Sequence, residues 1–253
     1  GVSQGAPAVW LCYIAYLNRT VGGPDQPQHV EWYPIGRVLA WAVAIAGVLA
    51  AMTLLTLGTS AEALRQQARK LVELFGKSLA QVDPKAAATL DADAMAALML
   101  NLLPTAFAAS ALAGLLFNFW LAGRITRASG RLLRPWPDLA ATKLPHGTAL
   151  ALAVATAASL PTAWTGVPEY ARFIVAGFAS ALFMAYTLIG LAIIHYGSRG
   201  RAWRPFVLFA VYAALLLLNP WSALVIALVG LSETLVPWRR APPPPPPAGG
   251  PPT

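Results

Sequence analysis

Apolar residues in this chain come in long runs instead of alternating with polar ones. Full-length runs stand at 35–58 (IGRVLAWAVAIAGVLAAMTLLTLG), 94–123 and 168–196, with others at 147–165, 206–218 and 221–236 and a shorter, partly polar one at 1–17. At about 1.5 Å per residue, a helix of some 20 apolar residues crosses the roughly 30 Å of bilayer hydrocarbon. The pattern predicts an all-α fold, a polytopic transmembrane helical bundle of about six to seven spans covering residues 1–240.

Residues 59–82 break the pattern. Leu64, Ala68, Leu71, Phe75, Leu79 and Val82 recur at helical spacing, with Arg65, Gln66, Arg69, Lys70, Glu73 and Lys77 mostly elsewhere on the wheel. That is an amphipathic helix. Its balanced charge favours packing on the bundle over lying on the membrane surface. Thr59 and Glu62 have the spacing of a capping box, and Asp83-Pro84 suits an N-cap followed by a first helical position. Pro104 removes a backbone donor inside the 94–123 run and predicts a kink there. The stretch 18–34 is dense in turn formers and reads as a loop, with Trp32 and Tyr33 at its end where an interfacial aromatic belt belongs.

The 206–236 stretch is too long for one upright span. Asn219-Pro220 divides it into two short helices or kinks a single one, which leaves the side of the C-terminal tail open. The tail itself, APPPPPPAGGPPT at 241–253, has nothing with which to build a core and is expected to be extended or disordered. The chain does not begin with Met and opens inside what reads as a span, so further N-terminal spans are expected before it.

Composition agrees with the run pattern: 57% of the 253 residues are hydrophobic and 11% charged, against about 25% charged in a typical soluble domain. The net charge of +8 sits in short loops beside the apolar runs, where it sets orientation. Nucleic acid is an unlikely partner for it. Arg124, Arg127, Arg131 and Arg134 follow the 94–123 run at spacings of three, four and three. If the helix continues through them they share one face, and they would anchor the protein to anionic lipid headgroups of the cytoplasmic leaflet. The expected location is the bacterial inner membrane.

Candidate chemistry is sparse. His29, His146 and His195 form no metal-ligand spacing, and the single Cys12 can form no intrachain disulfide. No hydrolase elbow or phosphate loop appears, so neither an enzyme nor a cofactor is expected. Polar residues at membrane depth are the better pointers, because their burial costs energy unless it serves a cavity or a partner. Asn101, Asn118, Tyr186 and Arg172 are the candidate cavity residues, although Glu169, three residues before Arg172, offers that arginine a local partner.

EWYPIGRVLAW (31–41), the long stretch LLPTAFAASALAGLLFNFWLAGRITRASGRLLRPWPDLAATKLP (102–145), LIGLAIIHYGSRGRAWRP (188–205) and ALVGLSETLVPWRR (227–240) resemble the YybS-like predicted integral membrane proteins of bacteria. That family is of unknown function. The resemblance implies more N-terminal spans and no established catalytic residues. It also implies distant similarity to the substrate-binding membrane subunits of energy-coupling-factor transporters and to MreD-like cell-shape proteins. Two functions follow as expectations: a solute-binding or transport-related membrane subunit with a small-molecule cavity, or a cell-envelope scaffold holding membrane-protein partners through its basic loops and tail.

Overall fold

The computed structural model describes residues 2–22 and 28–234, together with 236 and 239; the proline-rich tail and Arg240 lie outside the described residues. Helix α1 (Val2–Ala15) leads into a two-stranded antiparallel hairpin, β1 (Asn18–Val21) with β2 (His29–Trp32), in register Asn18 with Trp32. The turn-rich 18–34 stretch is therefore not plain loop. Arg19 and Glu31 face each other across the ladder as a salt bridge. Helices α2 (Ile35–Leu57), α3 (Ala61–Val82), α4 (Pro84–Ala88), α5 (Ala92–Ala128), α6 (Thr148–Ala158), α7 (Thr162–Thr165), α8 (Glu169–Gly197), α9 (Arg204–Leu217) and α10 (Trp221–Ser232) follow, with one 3-10 turn at Leu139–Ala141.

Three of these, α2, α5 and α8, are long and apolar enough to cross a membrane. They pack on one another and form the core, where Val38, Ala42, Ala46 and Ala50 of α2 meet Ala108, Leu112 and Leu115 of α5 and Ala181, Ala185 and Ile189 of α8. Alanine dominates because membrane helices associate by close approach and not by expelling water. Gly47 seats the Phe178 ring, and Gly177 lies against Ala50 and the backbone of Pro104. With Tyr170 donating to the Gly58 carbonyl (2.9 Å), these pairs run α2 antiparallel to α8.

The expected six to seven spans reduce to these three plus four shorter apolar helices. The 147–165 run is not one span, because Pro161 has no N–H to continue the ladder and α6 stops at Ala158, about 16 Å long. Of the two readings of 206–236, the pair of short helices is the one seen. Helix α9 leaves the end where α8 finishes. After α10, Arg239 donates to the carbonyls of Ala140 (2.5 Å) and Thr142 (2.8 Å), near Asp138, which pairs with Arg199 just past α8. The α9–α10 hairpin therefore starts and finishes at one end of the bundle, here called the basic end. At about 21 Å, α9 falls short of the bilayer.

Two glycines bring α10 onto α8. A methyl on Gly190 would overlap the Ile226 carbonyl, and one on Gly230 the Tyr186 carbonyl. The chain after α10 is then locked. Arg239, 3% exposed, makes a two-pronged pair with Glu233, 6% exposed, while Lys143 donates to the Arg239 carbonyl (3.0 Å).

At the other end, α3 packs Leu64, Ala68 and Val72 onto Ala96, Leu100 and Phe173. The amphipathic helix thus joins the bundle, but its buried stripe is narrower than the spacing suggested: Leu71, Phe75 and Val82 are exposed. Its N-cap is Ser60, accepting from Ala63 N (3.2 Å), one residue later than the Thr59 capping box predicts. Glu62 is drawn instead to Arg65. Asp83 caps α4 as expected, accepting from Lys85 N and Ala86 N (both 3.0 Å).

Candidate functional site

Four arginines in a 3-4-3 series would share a helix face only if the helix carried all of them, and it does not. Helix α5 ends at Ala128, and Gly130 takes a left-handed φ of +70°. Gly130 N then donates to Arg127 O (3.1 Å) and Arg131 N to Thr126 O (3.1 Å), the pairing of a Schellman cap. The glycine stops the helix. Arg124 and Arg127 stay on α5 while Arg131 and Arg134 are carried off it.

The chain then doubles back. Trp136 comes to rest over Gly123, its ring at van der Waals distance from where a β-carbon there would stand. Arg127 stacks over that ring at 5.4 Å and Arg124 at 6.0 Å, with Arg124 also 5.8 Å from the Trp120 ring. Each such contact is worth about 0.5–1 kcal/mol at exposed positions. Arg134 turns inward and donates to the Ala15 carbonyl (2.8 Å), tying the loop to α1. Burial pulls the Arg134 guanidinium below its ordinary pKa. Arg131 stays exposed.

Behind Trp136 lies a cavity of about 860 Å³. Its walls come from the ends of α1, α2, α5 and α8, the start of α9 and the 132–142 loop. Most of the lining is apolar or aromatic, including Leu116, Phe119, Trp120, Trp136 and Leu188. Among the polar groups, His195 Nε2 lies 2.9 Å from the Tyr212 hydroxyl, bridging α8 to α9. Arg199 holds both carboxylate oxygens of Asp138, one at 2.7 Å, and that hydrogen-bonded guanidinium keeps the Asp138 carboxyl below its usual range.

The charges do not cancel. Asp138 neutralises Arg199, but Arg134 has only a backbone carbonyl. Among the described residues, Arg204 makes no side-chain hydrogen bond, ion pair or ring contact. Among the described residues, two guanidiniums without a counter-charge thus line a largely apolar space, and burying the Arg134 charge unpaired costs desolvation energy until an anion meets it.

The sequence-derived cavity residues lie elsewhere, and the fold does not bring them together. Asn101 is exposed on α5 and donates back to the Ala97 carbonyl (3.0 Å). Asn118 is also exposed on α5. Tyr186 is 1% exposed and shares a hydrogen bond of 2.8 Å with Thr148 at the start of α6. Arg172 sits near the other end of α8, 3.8 Å from Glu169 and 5.3 Å from the Phe173 ring, with its buried Nε unpartnered. Glu169 pairs more closely with Arg65 of α3. None of the four lines the cavity.

Sequence reasoning missed Trp136, Arg204 and Tyr212. The only local signal for Trp136 was a large aromatic ring set between two prolines just past an apolar run. The partnership of Tyr212 with His195 depends on the α9–α10 hairpin and had no local sign. Among the described residues no three His, Cys, Asp or Glu side chains gather where they could hold a metal.

Neither a curated protein nor a solved structure matches this chain. The sequence model of a family described as predicted membrane protein (DUF2232) matches residues 27–232, which take in the whole of the three-helix core and most of the cavity wall. With most of its length matched and three helices able to span a bilayer, the chain belongs to this family of predicted membrane proteins.

Proposed function

We propose that the protein is a ligand-binding membrane subunit, transport-related and not an enzyme, whose binding site is the basic-end cavity. One observation carries this reading: Arg134 and Arg204, neither with a counter-charge among the described residues, line a space of about 860 Å³ walled by aromatic and aliphatic side chains. A cavity that existed only as a packing defect would be lined by apolar groups alone. Ligand sites instead combine an apolar wall with a few convergent polar groups. The resemblance to YybS-like proteins, and through them to substrate-binding subunits of energy-coupling-factor transporters, supports the same reading. Loop arginines and lysine at the basic end favour a bacterial inner membrane with that end in the cytoplasm.

The ligand is an organic anion, and Trp120 and Trp136 hold its apolar part. The scaffold alternative draws on Arg131, exposed beside the 79%-exposed Leu133, and on a tail outside the described residues. It leaves the inward-facing charges unexplained.

Native mass spectrometry of the full chain released from its own membranes tests the proposal. The expected result is a stoichiometric adduct that wild type retains and Arg204→Gln loses. Ligand-free protein in both, with a protein companion retained instead, would favour the scaffold.

A further inference from the structure

Two apolar helices, α5 and α9, supply part of the cavity wall. Helix α9 has no buried residue and packs mainly on α10, although its residues Arg204 and Tyr212 form part of the cavity wall. Across from it stands the final third of α5, with Leu116, Phe119 and Trp120 on the lining, and α5 and α9 are not packed together. Both helices are apolar, so in a bilayer acyl chains would lie alongside them. Phe206 and Phe209 on α9, each 76% exposed, leave that helix suited to lipid and not to water.

The polar lining has a matching chemistry. Two uncompensated guanidiniums suit a head of charge near −2. A phosphate monoester carries about −1.5 to −2 at neutral pH and offers three acceptor oxygens, and arginine pairs with it in a two-pronged geometry. His195 and the Tyr212 hydroxyl add further hydrogen-bonding groups to the lining. A carboxylate would satisfy one arginine and leave the other bare.

Resting on the ligand-site reading above, we propose that the cavity binds a phosphate monoester carried on an apolar chain, admitted sideways between α5 and α9. The head lies between Arg134 and Arg204, and the chain runs along Trp120, Phe119 and Leu116.

The full chain, purified into nanodiscs of zwitterionic phosphatidylcholine, would be titrated with hexadecyl phosphate, hexadecanol, glycerol 3-phosphate and hexadecanoate. Tryptophan fluorescence and the alkylation rate of Cys12, the single cysteine and a lining residue, give two readouts. Hexadecyl phosphate is expected to bind tightest and to protect Cys12. Arg204→Gln should weaken it by roughly tenfold or more, the loss of a charge-assisted contact. Arg131→Gln should leave it unchanged. Because Arg134 also ties down α1, Arg204→Gln with an unaltered thermal transition is the deciding variant.

Equal binding of glycerol 3-phosphate would overturn the requirement for a chain, and equal binding of hexadecanoate the requirement for phosphate. Either result leaves the cavity standing as an anion site. If no probe protects Cys12, or if Arg131→Gln weakens binding as much as Arg204→Gln, both this inference and the ligand-site reading fail.

Discussion

Removing Arg239 tests how the α9–α10 hairpin is held against the rest of the bundle. The Arg239 guanidinium is almost wholly buried and meets both oxygens of Glu233 and the carbonyls of Ala140 and Thr142. Arg239→Met keeps the aliphatic stem but leaves Glu233 as a buried carboxylate facing only Lys143 at 3.7 Å, with two carbonyls orphaned. Breaking a buried pair by deleting one partner costs about 3–5 kcal/mol. Lys143 offsets part of that, so a loss near the lower end, about 3 kcal/mol, is expected. At about 2–4 °C per kcal/mol for a chain of this size, the unfolding midpoint should fall by roughly 6–12 °C. The double variant Glu233→Leu with Arg239→Met removes the stranded carboxylate and keeps only the orphaned carbonyls. It should be more stable than the single variant. Thermal unfolding in detergent, followed by circular dichroism, measures both. A double variant less stable than Arg239→Met would refute the reasoning, because the cost would then not reside in an unpaired buried charge.

Gly190→Ala puts a methyl into the Ile226 carbonyl and must push α10 off α8; overpacking of this kind costs about 1–3 kcal/mol. The same unfolding assay should register it, whereas Gly114→Ala, where a methyl meets nothing, should be neutral or slightly stabilising. Asp138→Asn removes the exposed pair with Arg199, worth under about 1 kcal/mol at neutral pH. Because Arg199 lowers the folded-state pKa of Asp138, the pair stabilises the protein above the unfolded-state value near 3.8 and is lost as pH falls through the lower folded value. Unfolding midpoints of wild type and Asp138→Asn should therefore differ at pH 7 and converge on acidification below pH 3.8. A gap that widens there instead would contradict the sign.

The long apolar runs were legible because length and hydropathy settle a span by themselves. So α2, α5 and α8 appear where the pattern put them, and Asp83-Pro84 caps α4 as local chemistry requires. The half-length elements were not legible in the same way. Nothing in a hydropathy run says that 147–165 will stop at Ala158 until Pro161 is weighed as a full break, whereas Asn219-Pro220 did mark the division of 206–236 into α9 and α10. The arginine series misled for a related reason: spacing places side chains on a face only while the helix lasts, and Gly130 ends it. The polar residues chosen as a cavity were selected for depth along the chain. Depth does not distinguish Asn101 on the outside of α5 from Tyr186 in the core. The cavity depends on where loop 132–142 folds back, which only Gly123 and Trp136 hinted at.

The most direct test of an anion-selective cavity uses Cys12, which lines it and has no other cysteine to compete. Its rates of reaction with a negatively and a positively charged methanethiosulfonate, each divided by the rate with a free thiol, report the local potential. Two uncompensated guanidiniums predict that the negative reagent is favoured, and that the preference vanishes when Arg134 and Arg204 are both changed to Gln. Equal relative rates in the wild type, or a preference for the positive reagent, would contradict the account.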